Sequence, residues 1–347
     1  MHVSFFPRVP QRIVPSSFFL LSLSILLYLL PAAAERTEHP LEPDILDHKS
    51  YTEVFTLTAM HDDHTFVMVQ MTFTNLGVEN RNAACLALVL NPARKPWKMN
   101  ERFNEKHWGY SEANNPTLSA GATTLSVLKD KTCLFARLGK GTIKISLYGL
   151  PSPIKTPNID FPKSASGKFR EFKILVPWTR LETSLNVPGF PRQDLKGFGT
   201  LEQAKSVGTS RDVCRGWVTF RGFEGDSFFL ANFRLPPQEN SPATGWIWKN
   251  GEQKPLAMTG LKIRREFSTI DGKKKEDHII SALDNSFMIS GRDLLYRYSF
   301  VDELGAFTGY LVKVVIGKPV TRYYDAEARL SGGKQPLHGV LELMSIE

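Results

Sequence analysis

The sequence is short of charge, of cysteine and of helical periodicity, and each shortage narrows what the chain can be. Charged residues make up 22% of the 347 positions, against 42% hydrophobic and 11% aromatic, with 23 Phe, 25 Gly and 22 Pro. That is too apolar and too rich in turn formers for a disordered chain or a coiled coil. No window longer than about ten residues keeps the 3.6-residue period of an amphipathic helix. There is no Gly-x-Ser-x-Gly elbow, phosphate loop, dinucleotide fingerprint or zinc motif, which disfavours the common nucleophile and cofactor enzymes, and no cofactor is implied. Basic residues number 43 against 35 acidic, but they are scattered, whereas a nucleic-acid protein concentrates them on a patch or helix. The one run, Lys273-Lys274-Lys275, follows Asp271-Gly272 and reads as the solvated tip of a hairpin.

Long apolar stretches are also missing. The longest, Phe18 to Leu30, follows Arg8 and Arg12 and precedes Pro31-Ala32-Ala33-Ala34. It falls short of the ~20 residues that span a bilayer. Basic, apolar and small-residue regions in that order read as a secretory signal peptide over residues 1–34, cleaved after Ala34. The mature chain is then expected in the periplasm or outside the cell, with 41 basic and 35 acidic residues and a mild charge of +6. Peripheral membrane contact and oligomeric state stay open. Three cysteines remain, Cys85, Cys133 and Cys214, each in an apolar strand-like stretch. They read as small buried hydrophobes, with a Cys85–Cys133 bridge as the alternative in an oxidising compartment.

What is present is strand after strand. In Thr65 to Asn75, Phe66, Met68, Gln70, Thr72 and Thr74 alternate with Val67, Val69, Met71 and Phe73, the period of two that marks a half-buried strand. Similar segments recur to the end of the chain, including Thr132 to Arg137, Gly216 to Phe220, Phe228 to Arg234, Thr244 to Lys249, Gly309 to Ile316 and Leu337 to Ser345, separated by turns such as Asn250-Gly251. A short helix or turn is expected near Asn100 to Lys106. The pattern is all-β, of barrels or sandwiches. Four prolines within residues 149–165, then Pro177, Pro188 and Pro191, interrupt it, since proline is hard to place in a central strand. The expected division is an N-terminal unit of residues 45–180 and a C-terminal unit of 181–347 whose strands begin near residue 210.

Several segments then carry a family likeness. Gly197-Phe-Gly-Thr-Leu-Glu202-Gln203, Arg215-Gly-Trp-Val-Thr-Phe-Arg-Gly222, Phe228 to Arg234, Leu235-Pro-Pro237 and Gly245-Trp-Ile-Trp248, with Phe73-Thr-Asn-Leu-Gly77 early and Gly339-Val-Leu-Glu-Leu-Met344 late, resemble the tandem-lipocalin superfamily of carotenoid 1,2-hydratases, AttH-like bacterial proteins and yeast survival-factor proteins. The resemblance spans residues 50–345. It implies two lipocalin-like antiparallel β-barrels in tandem, with apolar ligands bound in or between them. Barrels of this size enclose one small molecule in an apolar, aromatic cavity, and Trp217, Phe220, Phe228, Phe229, Phe233, Trp246 and Trp248 are candidates for that lining. The partner so implied is a lipid or isoprenoid-like small molecule.

In the hydratases the segment after the central glycine carries an Asp-His pair. The matching positions here are Glu202 and Gln203, so the carboxylate survives and the titratable imidazole does not. The resulting expectation is a non-catalytic carrier, with two alternatives. One is an enzyme of hydratase, isomerase or cyclase type that uses Glu202 as acid; the bland reading of Glu202 is a structural acceptor bonded to an arginine such as Arg215. The other is a carbohydrate-binding sandwich with Trp108 and Tyr110 as platforms. His61-Asp62-Asp63-His64 is the compact His and carboxylate cluster, but four adjacent residues between strands are an ordinary hairpin turn, so no metal is expected there. His107-Trp108-Gly109-Tyr110 and Arg322-Tyr323-Tyr324-Asp325 are read as aromatic loops that could rim a site.

Overall fold

Alternation of apolar and polar residues dominates the structure as it does the sequence. The computed structural model describes residues 39–347 apart from 77–80, 158–159, 161–166, 209–211, 213, 271–272, 304–317 and 334. The expected signal peptide and the strand expected at Gly309–Ile316 therefore lie outside the described residues. The segment Pro40–Glu347 forms one compact unit built on two antiparallel sheets.

The first sheet contains β1 (Tyr51–His61), β2 (Phe66–Thr74), β3 (Asn82–Leu90), β4 (Trp97–Phe103), β5 (Trp108–Ser111), β6 (Thr117–Ala120), β7 (Thr123–Val127), β8 (Thr132–Leu138), β9 (Gly141–Leu147), β10 (Ile154–Lys155), β11 (Phe169–Asn186) and β12 (Gln193–Val207). Their order is β4-β3-β2-β1-β12-β11-β9-β8-β7-β6-β5, with β10 beside β11. The second sheet contains β13 (Gly216–Glu224), β14 (Ser227–Leu235), β15 (Thr244–Lys249), β16 (Leu256–Thr259), β17 (Leu261–Ile270), β18 (Lys273–Ala282), β19 (Phe287–Tyr298), β20 (Pro319–Leu330) and β21 (Leu337–Ile346), in the order β16-β15-β14-β13-β21-β20-β19-β18-β17. The first curls into a near-barrel and the second into a half-barrel, as the all-β expectation requires.

Each sheet wraps its own core. Phe55, Leu57, Val67, Val69, Met71, Phe73, Ile143, Ile145 and Leu201 fill the first, and Phe220, Phe229, Phe233, Phe287 and Leu341 the second. Burying such side chains contributes about 1.5–3 kcal/mol apiece.

Residues 181–207, expected in the second unit, hydrogen-bond into the first sheet: β12 pairs with β1 from Tyr51↔Val207 to His61↔Gly197. The prolines mislead here because Pro177 falls where β11 shifts register, between Val176 and Thr179, and a bulge is where a strand tolerates proline. The glycines mislead because they serve close approach. A Cβ at Gly197 would fall on the Met60 carbonyl oxygen, and one at Gly199 on that of Thr58. Smaller corrections follow the same logic. Asn100 to Phe103 is strand, and the helical turn is Glu105–His107, capped by Asn104. Arg322 to Asp325 lies inside β20 and not in a loop. Ile270 pairs with Lys273, so the lysine run begins a strand, β18, and Asp271-Gly272 lies outside the described residues.

The three cysteines are free, Cys85 and Cys214 buried and Cys133 half-buried. Burial pushes the Cys85 thiol up to about 12.

Candidate functional site

Because strand side chains alternate, each sheet has a second face, and these two faces pack on each other. From the first sheet come Met60, Phe66, Met68, Leu88 and Leu90, and from the second Tyr323 and Val340. Farther along the seam, Phe172 and Ile174 of β11 meet Trp217, Leu230, Trp246 and Trp248 of β13 to β15, with Trp178 and Phe228 alongside. Trp178 stands 6.0 Å from Phe228 and 6.2 Å from Phe223, ring centre to ring centre.

Charge enters this apolar seam at Arg221. Its Nη2 donates to Glu202 Oε2 at 2.9 Å and its Nη1 to Glu342 Oε2 at 3.4 Å, so β12 and β21 clamp the guanidinium of β13 from both sheets. Burial disfavours the cation, but Glu202 and Glu342 outweigh it and hold Arg221 above the ordinary arginine range. Two carboxylates share one cation, and the surplus falls on Glu342: burial pushes its carboxyl up against the pull of Arg221. Around the cluster, Thr58 Oγ1, Arg221 Nε, Asn232 Oδ1 and Trp246 Nε1 are buried without a hydrogen-bond partner. Asn232 and Trp246 are cross-strand neighbours, and Thr219 stands between Asn232 and Glu342. Unsatisfied buried polar atoms cost about 1–3 kcal/mol each, and these four are among the eleven such atoms of the described residues.

The carboxylate expected to matter, Glu202, is thus held by Arg221; Arg215 instead donates to the Glu239 carbonyl at 3.5 Å. Gln203, the next residue, points into the first barrel. Its Nε2 donates to Glu53 Oε1 at 2.6 Å. Glu53 is wholly buried and also accepts from Tyr51 Oη at 2.8 Å and from the Asp44 amide at 2.9 Å. Burial raises its carboxyl despite the nearby Lys205 ammonium.

Of the seven aromatic residues singled out, Phe228 packs along the seam, and the other six do not share one cavity. Phe220, Phe229 and Phe233 face the second core, Phe220 lying 5.9 Å from Phe229. Trp217, Trp246 and Trp248 face the seam. The Arg170 guanidinium stacks 4.2 Å from the Trp217 ring centre, and Trp248 Nε1 donates to the Glu252 carbonyl at 2.9 Å. Trp108 and Tyr110 pack against the first core, and Trp108 Nε1 donates to the Arg81 carbonyl at 2.7 Å, so neither is a free platform. Arg221 and Glu342 were missed as chemistry. The signal was there, since each is a lone charge within an apolar strand, and such a charge needs a partner.

His61 to His64 form the expected hairpin turn. Asp63 accepts from Thr65 through both oxygens at 3.0 Å. His61 turns inward, its ring nitrogens spent on the Thr65 carbonyl at 2.7 Å and Thr183 Oγ1 at 2.8 Å. Among the described residues no three His, Cys, Asp or Glu side chains converge on one point. Two cavities open at the ends of the strands. One, of about 340 Å³, lies where the β1–β2 turn meets the β13–β14 turn and the start of β21, between Met60, Phe223, Asp62, Glu224, His64 and His338. The other, of about 490 Å³, includes Phe228, Lys249, Leu330 and Leu337 in its wall, and Leu330 and Leu337 also belong to the second core.

No family model matches the chain, and no curated protein matches it in sequence. Solved structures do. CghA crystallised with Sch210972 superposes with a TM-score of 0.53 at 12% identity, covering 86% of this chain and 89% of that one. The AttH-like protein NE1406 of Nitrosomonas europaea superposes with a TM-score of 0.55 at 13% identity, covering 92% and 99%. The two curled sheets, their pairing order and these superpositions over nearly the whole of both chains give the protein the tandem lipocalin-like fold of the AttH-type proteins.

Proposed function

We propose that the mature protein is an extracytoplasmic carrier that binds a small, mainly apolar molecule of lipid or isoprenoid type, without turning it over. The observation that carries this reading is the seam itself. Tryptophan and phenylalanine side chains line one stretch of it, the Arg221–Glu202–Glu342 cluster lies in it as well, and Arg221, Asn232, Trp246 and Thr58 each carry a buried polar atom without a hydrogen-bond partner. A ligand with a long apolar body and one or two oxygen atoms suits such walls, since binding sites combine apolar surface with a few placed polar groups. That a protein of the same fold crystallised with a small molecule, Sch210972, supports the ligand class. The apolar run before Ala34 supports export. Native mass spectrometry of the mature protein followed by organic extraction tests the proposal. A stoichiometric apolar molecule is the expected result. An empty protein whose tryptophan fluorescence is not quenched by a polyene such as retinol overturns it.

One observation favours a catalytic reading as the second choice, with Glu342 in place of Glu202. Arg221 bonds Glu202 at 2.9 Å and Glu342 at the longer 3.4 Å, and burial raises the Glu342 carboxyl, the direction that suits an acid acting on an apolar double bond. Under that reading Glu342→Gln abolishes product formation while leaving ligand binding intact, and Glu202→Gln does not.

A further inference from the structure

A second feature stands apart from the Arg221 cluster, at the end of the seam. His64 sits in the β1–β2 turn with a left-handed φ of 62°, and His338 lies near the start of β21 on the other sheet. Their rings face each other in the wall of the 340 Å³ cavity, 5.2 Å between centres and 63° between planes. That spacing has a chemical meaning. With an imidazole nitrogen about 2.0–2.1 Å from a zinc ion and the ring centre roughly 1.2 Å beyond it, two rings at the tetrahedral angle stand about 5.2 Å apart.

The surroundings suit a cation. Asp62 and Glu224 line the same cavity. Asp325, partly buried, interacts electrostatically with both imidazoles. Glu327 Oε1 lies 4.0 Å from His338 Nδ1, too far for a hydrogen bond but a further negative charge beside the pair. His61, also in the wall, is excluded because both its ring nitrogens are engaged.

We propose that His64 and His338 form a two-imidazole site for a borderline divalent transition-metal ion, zinc foremost, bridging the two sheets, its remaining positions open to water in the cavity. Imidazole pairs select zinc, cobalt, nickel and copper over the oxygen-seeking magnesium and calcium. Such an ion also ties the β1–β2 turn to β21 and so stiffens the end of the seam.

The test uses full-length mature protein stripped with chelator, titrated with Zn²⁺ against a chromophoric competitor and with Co²⁺ by visible absorption. One equivalent is expected to bind with imidazole-ligated cobalt bands. His64→Ala and His338→Ala should each lose affinity on the order of tenfold or more, since even the groups behind metal ligands are worth 10–100-fold. His107→Ala, in a different turn, should lose none. Zinc should raise the melting temperature of the parent and of His107→Ala but not of the two site variants, with circular dichroism checking that each is folded. Absence of stoichiometric binding, or binding that survives both site substitutions, overturns the proposal.

Discussion

Glu202 and Gln203 adjoin in the chain yet serve opposite faces of the first sheet. Glu202 reaches across the seam to Arg221, and Gln203 reaches into the barrel to Glu53. Gln203 is thereby built into a buried network with Glu53, Tyr51 and Asp44, away from the seam.

Arg221→Leu removes the one cation clamped between Glu202 and Glu342. Breaking a buried pair from one side costs about 3–5 kcal/mol, because the partner charges stay buried. Urea denaturation should show a loss of that size, and adding Glu202→Gln and Glu342→Gln to Arg221→Leu should recover most of it. Equal stability of the parent and the single variant would show that the clamp is idle.

Glu342 fixes a pH dependence. Its folded carboxyl sits above the ordinary value of 4.5, so the folded state binds more protons than the unfolded state between that value and the raised one. Its contribution is then favourable at low pH and is lost as pH rises through that window. The stability difference between the parent and Glu342→Gln should therefore shift against the parent as pH rises from 4.5. A flat difference would refute the assignment.

His61 acts with the opposite sign. Burial lowers its imidazole below 6.5, so the unfolded state binds the extra proton, and stability falls as pH drops below 6.5. His61→Gln should show a shallower acid limb in thermal melts than the parent.

Much of this architecture could be read from the residues. The faces of Phe66 to Thr74 were legible from the period of two: Val67, Val69, Met71 and Phe73 line the first core, while Phe66 and Met68 enter the seam. The fate of residues 181–207 was not legible, because a proline at a bulge and glycines under a neighbouring backbone look like a linker when pairing partners are unknown. The site was half legible for the same reason. Trp217, Trp246 and Trp248 stand out by size, but which face they take depends on register. That Arg221 and Glu342 each need a partner was legible from their apolar strands, but that they partner each other across 121 positions was not.

Gly199 gives a direct check on the β1–β12 pairing. A methyl there meets the Thr58 carbonyl and the Leu181 side chain, so Gly199→Ala should destabilise by roughly 1–3 kcal/mol, the usual cost of overpacking. A neutral result in chemical denaturation would mean the two strands are farther apart.

The thiols provide a chemical count. Ellman's reagent should find three thiols in unfolded, unreduced protein, and in the native state it should react fastest at Cys133, which alone of the three is not buried. A single thiol in the unfolded chain would instead mean a bridge between the other two.

The pairing of β1 with β12 and of β13 with β21 closes each sheet on its own stretch of chain. Among the described residues no strand crosses from one sheet to the other. In a chain that emerges vectorially, the first sheet can complete its ladder as soon as Val207 has emerged, before the strand that starts at Gly216 has emerged to compete for an edge. Within each sheet the closing pair is remote, residue 51 with 207 and 216 with 345, so closure of each is a slow, high-contact-order step. Refolding of the whole chain should therefore be slower and more prone to mispaired edges than folding during synthesis.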